Sequence, residues 1–519
     1  MSQVVNSSLK TATRGTILVF FGMVASILLW FAAKILIVRN TTKEEFGIYS
    51  LVLAVGGILS LVATLGLQEG VTRYISLLAG AEKDADAKTV SQDSLTIGIV
   101  SSCSVCALLF LFSGLIARYV FYKPEIEMPL RIISFFIPFS AITSIVVAVS
   151  RGFNIMKIKV FADVGQPLFF LLMVGVTLML HLPFISILYS YVLCVVILLA
   201  LILFPVFRKI RLNSFALRGA GRGIELLRFS FPLLASAVLV IVLTWADTLM
   251  LGRYTGADQV GIYNVSSSLA RLLTFPLFSL GFVFMPLAGE MYARGQMEDL
   301  KRTYQVLTKW IFSVTLPIFF ILFFFPEMTI IFLFGDRFVD SSTALRILSL
   351  GFLFNSFLGV NGMLLTVMGR TRELMSVSAL GTVLNVILNY VLIKRLGMGI
   401  IGASVATLAS YVLLNVLLSV LLYRLSSIHP VTKEYIYPVI GSVFIGLIIY
   451  GIAKSLPLYF WMLPLYLLAF VCGYCAVLLL TKSVEREDLY IFEQVLKKVG
   501  VQSQNAKRII GKFSRSVLP

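Results

Sequence analysis

Lys34, Asp247 and Arg271 are ionisable side chains set inside otherwise apolar stretches. A charge held in hydrocarbon costs about 2.5–3.5 kcal/mol on insertion scales, so each calls for a partner or for water. Lys34 and Asp247 fall about one turn inside the same end of their stretches, and they could pair across a polar cavity. Arg271 is deeper, about 16 Å from the nearer end at 1.5 Å per residue, too far for its side chain to reach the surface fully. It should face water or an anion. Glu69 and Arg73 stand four apart near the end of another stretch, a spacing that permits a local ion pair. Arg39 and Arg253 stand where two apolar stretches end. This chemistry is binding and ion coupling. No Ser/His/Asp constellation or phosphate-cradling glycine loop is visible, and only His181 and His429 are present as histidines. The five cysteines (Cys103, Cys106, Cys194, Cys472, Cys475) all lie in apolar runs and read as core packing.

The elements that hold these charges must be membrane helices. Of the 519 residues 59% are hydrophobic and only 13% charged, and mean hydropathy is +0.97. Soluble domains carry roughly twice that charge. Backbone polar groups in lipid must be satisfied within the segment, and no alternating strand pattern suggests a barrel. Apolar runs of spanning length occur at 14–38, 46–68, 94–117, 130–151, 163–182, 184–207, 229–252, 260–289, 308–326, 343–369, 374–393, 400–423, 435–456 and 459–481. His181-Leu182-Pro183 divides one long run into two. The expected fold is an all-α polytopic membrane protein of about fourteen transmembrane helices. The first run is too long for a signal-peptide core and should remain as a helix. Net charge is +18, from 43 Lys and Arg against 25 Asp and Glu. Most of the basic residues fall in loops on the side that carries both termini, which places the termini in the cytoplasm of a cell (plasma or inner) membrane.

The chain also repeats itself. Arg39-Asn-Thr-Thr-Lys-Glu-Glu-Phe-Gly-Ile-Tyr49 aligns with Arg253-Tyr-Thr-Gly-Ala-Asp-Gln-Val-Gly-Ile-Tyr263, and Arg14 aligns with Arg228 in the same register. Leu130-Arg131-Ile132-Ile133-Ser134 aligns with Leu345-Arg346-Ile347-Leu348-Ser349 one residue away from that register. Six runs separate the copies. Two parallel six-helix lobes with pseudo-two-fold symmetry follow, 1–215 and 216–428, joined by a basic linker around Arg208–Arg228. Such repeats rock about a central cavity in alternating access. Two extra transmembrane helices occupy 429–481. The remainder, 482–519, reads as a basic cytoplasmic tail whose residues 485–498 form an interfacial amphipathic helix. Asn355, Asn361, Asn385 and Asn389 should make interhelical hydrogen bonds. Pro232, Pro276, Pro286 and Pro317 should kink their helices. Arg151, Lys157, Lys159 and Asp163 cluster at one loop and mark the positive side. Glu44 and Glu45 suit a turn and helix start better than a metal site.

Arg39 to Tyr49, followed by Leu65-Gly66-Leu67-Gln68-Glu69-Gly70-Val71-Thr72-Arg73-Tyr74, resembles the first helical hairpin of Wzx-type polysaccharide flippases. So do Phe334-Gly335-Asp336-Arg337-Phe338 with Ala344 to Leu348, and the stretch from Leu384-Asn385 through Asn389, Gly397, Gly402-Ala403-Ser404 and Ala406-Thr407. This family belongs to the multidrug/oligosaccharidyl-lipid/polysaccharide exporter superfamily. The resemblance implies a substrate: an oligosaccharide or polysaccharide repeat unit linked to a polyprenyl phosphate or pyrophosphate, moved from the inner to the outer leaflet. The implied partners are that lipid, the bilayer and glycan-assembly proteins of the same pathway, with no nucleic acid, metal or cofactor. A cationic cavity would offset the phosphate through Arg271 and Lys34, with Arg39, Arg73 and Arg253 near the mouths. Asp247 and Glu69 would serve in ion pairs or coupling. Lipid II flippases and cation-coupled multidrug extruders are the alternatives. The Arg-rich opening of the former is missing, and the first three runs lack the mid-membrane carboxylate of the latter. A membrane glycosyltransferase or glycan polymerase would need a larger outer domain.

Overall fold

The computed structural model describes residues 3–210, 220–358, 360–430, 433–455, 460–481 and 483. These residues are helical throughout, with no strand among them. Among the described residues, fourteen helices are long and apolar enough to cross a membrane. In chain order the spans are Phe21–Asn40, Lys43–Gly80, Ala85–Val120, Pro124–Gly152, Met156–Met179, Ile185–Arg208, Glu225–Tyr254, Ala257–Phe282, Met297–Phe324, Asp336–Val367, Thr371–Arg395, Gly399–Ser426, Ile436–Lys454 and Leu463–Leu480. Each matches one expected run. Several reach further than hydropathy suggests, because polar turns such as Asp86 to Ser94 continue the helix beyond its apolar part. The linker residues 211–219 and the expected amphipathic helix at 485–498 lie outside the described residues.

The backbone groups into two compact units, Met1–Val265 with Thr382–Ala406, and Ser266–Gly381 with Thr407–Pro519. The seventh span therefore packs with the first six. A division at 215 rests on the repeat and stands as a proposal.

Local chemistry explains the first hairpin. Thr42 caps the helix Lys43–Ala63 in a capping box with Glu45: Glu45 N donates to Thr42 Oγ1 at 3.2 Å, and Thr42 N donates to Glu45 Oε2 at 2.8 Å. The acidic pair of this loop thus starts a helix, as its place in the repeat suggested. The repeated Gly-Ile-Tyr triplet has a packing reason. A Cβ on Gly47 would overlap the Ala257 carbonyl and stand 3.0 Å from Gly261 N. A Cβ on Gly261 would overlap the Lys43 carbonyl and stand 3.1 Å from Gly47 N. Lys43 and Ala257 are themselves repeat-equivalent, so the two copies meet backbone to backbone about a local two-fold axis. Only glycine permits that approach.

Breaks in the second and eighth spans bear on the charged residues. The second turns at Leu65 and Gly66, both left-handed, before resuming as Leu67–Gly80. The eighth passes through a 3-10 turn, Arg271–Thr274, between Ala257–Ala270 and Phe275–Ala293. Pro276 accounts for the second break: it has no N–H for the Leu272 carbonyl and crowds it. Phe275 N donates to Leu272 O instead, and Ser356 Oγ donates to Leu273 O at 2.5 Å. The last two spans pack on the ninth in the second unit, where Phe320 stacks on Phe470 at 4.2 Å and Phe325 on Tyr466 at 5.0 Å.

The cysteines correct one expectation. Cys194 is buried, but Cys103, Cys472 and Cys475 are exposed on their helices. In a bilayer a weakly polar thiol is as well solvated by lipid chains as by a protein core, so an apolar run does not say which way it faces.

Candidate functional site

The charged residues fall into three settings. Asp247, in the seventh span, is 4% exposed, and three neutral side chains donate to it. Tyr263 OH donates to Oδ2 at 2.5 Å, while Asn389 Nδ2 at 2.6 Å and Asn385 Nδ2 at 3.4 Å donate to Oδ1. Asn389 Nδ2 also reaches Asn385 Oδ1 at 3.0 Å. The four-residue spacing of Asn385 and Asn389 sets both amides on one face of the eleventh span. The other two asparagines also bond between helices: Asn361 Nδ2 donates to Ser419 Oγ at 2.6 Å, and Asn415 Nδ2 to Asn355 Oδ1 at 3.2 Å.

A second setting is a reciprocal helix cap in the first unit. Arg253 Nη1 donates to the carbonyls of Tyr119, at 2.9 Å, and Val120, while its guanidinium lies 4.7 Å over the Tyr122 ring. Lys123 Nζ donates in return to the carbonyls of Gly252 at 2.6 Å and Thr255 at 2.7 Å. Each cation takes carbonyls left open at the end of the other's helix. Burial pushes the Lys123 ammonium below its ordinary value, against the upward pull of Glu125 and Asp258.

The remaining expected residues are dispersed. Lys34 is half-buried with Nζ 6.0 Å from the Phe46 ring centroid, and Arg39 is exposed in the last turn of its helix. Arg271, at the break of the eighth span, donates from Nε to Ser267 Oγ at 3.3 Å and lies 5.9 Å from the Phe352 ring. Arg73 sits over Phe229 at 4.5 Å. Glu69 meets Arg151 at 3.3 Å across helices instead of Arg73 along its own.

Arg151 is a wall of two cavities among the described residues of the first unit. One, of about 430 Å³, sits among the first, second, fourth, fifth and sixth spans, with Trp30, Gln68, Thr143, Arg151, Asp163 and Gln166 on its walls. The other, of about 500 Å³, is lined by Thr72, Ser76, Arg151 and Asn154 among others. Arg271, Lys34, Arg39, Arg73, Arg253, Asp247 and Glu69 line neither. Sequence reasoning weighed the intramembrane charges and asparagines but passed over Gln166, Thr143 and Trp30. The available signal was Gly165-Gln166-Pro167, a neutral amide beside a helix-interior proline in an apolar run.

Residues 12–292 match the family model described as polysaccharide biosynthesis protein, and residues 232–391 match the MatE model. Among curated proteins, the uncharacterized membrane protein MJ1068 of Methanocaldococcus jannaschii is 25% identical over 205 residues, which are 39% of this chain and 40% of that protein. The teichuronic acid biosynthesis protein TuaB of Bacillus subtilis is 23% identical over 126 residues, 24% of this chain and 26% of its own length. The matches thus span less than half of these relatives. Among solved structures, lipid II flippase MurJ in an inward closed conformation superposes with a TM-score of 0.72 at 13% identity, covering 90% of this chain and 98% of that one. An inward-facing multidrug resistance MATE family transporter gives 0.68 at 16% identity, covering 77% and 94%. These likenesses show the two-lobed fold. With more than half of its length matched, the chain belongs to the family described as polysaccharide biosynthesis protein.

Proposed function

We propose that the protein is a flippase for a polyprenyl-(pyro)phosphate-linked oligosaccharide or polysaccharide repeat unit. It carries the headgroup from the inner to the outer leaflet of the cell membrane by alternating access of its two repeats, with both termini cytoplasmic. The observation that carries the reading is a polar cavity of about 430 Å³ sunk among five membrane spans of a member of this family. A glycan headgroup cannot cross hydrocarbon with its hydroxyls unpaired, because each unsatisfied group costs several kcal/mol. Internal polar walls remove that penalty while the prenyl chain stays in lipid. Arg271 and Lys34 serve the phosphate, with Arg39, Arg73 and Arg253 toward the mouths. Asp247 is the coupling site or the acid of an ion pair, and Glu69 acts with Arg151. Glycosyltransferases and other glycan-assembly proteins of the same pathway supply and consume the substrate.

The test is leaflet transfer in reconstituted vesicles. A polyprenyl-pyrophosphate oligosaccharide is loaded in the inner leaflet and the outer face is probed with a lectin or glycosidase. Wild type should expose the glycan, and Arg271→Ala, checked for folding and insertion, should slow exposure at least tenfold. Equal rates would remove Arg271 from the anion site. No transfer of several such lipids, with or without an ion gradient, would overturn the flippase reading in favour of small-molecule export, which the MatE match would then support.

A further inference from the structure

The 430 Å³ cavity of the first unit is notable for what the polar side chains on its walls do not do. Helical serines and threonines here usually turn their hydroxyls onto the carbonyl three or four residues back. On the fourth span Ser150 Oγ bonds Val146 O at 2.8 Å, and on the second Thr72 Oγ1 bonds Gln68 O at 2.9 Å. Thr143, on the cavity wall of that same fourth span, is 7% exposed and its hydroxyl has no partner. Ser26, Ser144, Gln68 and Gln166 also line the cavity, and none makes a side-chain hydrogen bond among the described residues. Five neutral polar side chains from four spans therefore converge with donors and acceptors open. Leaving the buried Thr143 hydroxyl open costs about 1–3 kcal/mol, and the four half-buried side chains beside it present their open groups to the same space, so the convergence suits a guest that answers it.

The charges around the cavity say which guest. Arg151 is matched by Glu69 at 3.3 Å and Asp163 by Lys159 at 2.5 Å. With both charges paired, the wall offers neither a free cation for a phosphate nor a free acid for an ammonium ion. Its open groups are amides and hydroxyls, each able to donate and accept. Trp30 supplies an apolar plate, steadied by Phe170 at 5.4 Å and Tyr191 at 6.0 Å. A sugar ring is the matching molecule: hydroxyls around its rim, an apolar C–H face, and no charge. The volume lies in the range of about 300–1,000 Å³ typical of small-molecule sites.

We infer that this cavity is a sugar subsite that holds a neutral glycosyl residue of the cargo against Trp30, apart from the cations that serve its phosphate. The inference rests on the flippase reading for its cargo, but not for its chemistry. It makes the first unit the part that selects the glycan.

The test compares equilibrium binding of two probes to the purified full-length protein: a short-chain polyprenyl pyrophosphate bearing a disaccharide, and the same lipid without sugar. The disaccharide probe should bind at least tenfold tighter. Thr143→Val and Gln166→Leu should each remove most of that difference and leave the bare lipid unchanged. Neither variant breaks a bond within the protein, so both should fold, and Trp30→Phe should show an intermediate loss. Equal binding of the two probes by wild type, or equal weakening of both by the variants, overturns the subsite. Leaflet transfer of the disaccharide lipid is read separately. Sugar-dependent binding without transfer would sink the flippase reading and leave the subsite standing.

Discussion

The cluster around Asp247 and the cavity beside Trp30 are both polar regions inside membrane helices, built from the same kinds of side chain. Around Asp247, the tyrosine hydroxyl and both asparagine amides are turned onto one buried carboxylate. Beside Trp30, the glutamine amides and the Thr143 hydroxyl are turned onto no protein group among the described residues. Polarity within a bilayer therefore does not by itself mark a binding surface. Donors closed on a buried carboxylate mark structure or coupling, even though Asn389 Oδ1 in that cluster is itself left open, whereas several open side chains converging on one cavity mark a place for cargo.

Removing the carboxylate should give the largest effect. Asp247→Leu strands the Tyr263 hydroxyl and the Asn389 amide at about 1–3 kcal/mol each, so a loss of roughly 3 kcal/mol or more is expected in thermal or denaturant unfolding of the detergent-solubilised protein. An unchanged midpoint would mean that the cluster is not closed in solution. Gly47→Val and Gly261→Val come next. Each drives a side chain into a backbone carbonyl of the other repeat, a strain of about 1–3 kcal/mol. Since the contacts are reciprocal, the two losses should agree, and a large inequality would break the local symmetry. Smaller still is the stability change at the cavity, where Thr143→Val should stay within about 0.5 kcal/mol of wild type because no intramolecular bond is lost.

The smallest effect concerns Lys123. Its folded ammonium is held below 10.5 by burial, so the unfolded chain binds the proton more tightly. Stability from this group rises with pH between the lowered value and 10.5, and the charged form is the destabilising one. In Lys123→Met that alkaline rise should disappear from a stability–pH profile, while the loss of its three carbonyl bonds, to Phe121, Gly252 and Thr255, lowers the whole curve slightly. A rise that persists in the variant would assign it to another group.

Much of this fold is legible in the sequence. Span length and hydropathy locate all fourteen helices, since the bilayer imposes length directly. Gly47 and Gly261 are visible as a repeat before their contact is known. Thr42 and Glu45 announce their capping box by spacing alone. Asn385 and Asn389 could be read as interhelical donors, although not that both address Asp247. The cavity was hidden for two physical reasons. Gln68, Thr143 and Gln166 come from three spans, and their meeting depends on helix rotation and register, which hydropathy does not encode. Neutral side chains also cost far less in lipid than charges do, so a search that follows intramembrane charge passes over them. Nor does the sequence show that Arg253, placed at a mouth, also caps a helix in exchange with Lys123.

The most direct test sets stability and transfer side by side in Gln166→Leu. The protein is purified, its unfolding midpoint measured, and its rate of glycan exposure in reconstituted vesicles compared with wild type at equal folded protein. A guest-binding role predicts a midpoint equal to wild type or higher, with transfer slowed about tenfold. A lowered midpoint with transfer unchanged per folded molecule would make Gln166 a packing residue and contradict the assignment of the cavity to cargo.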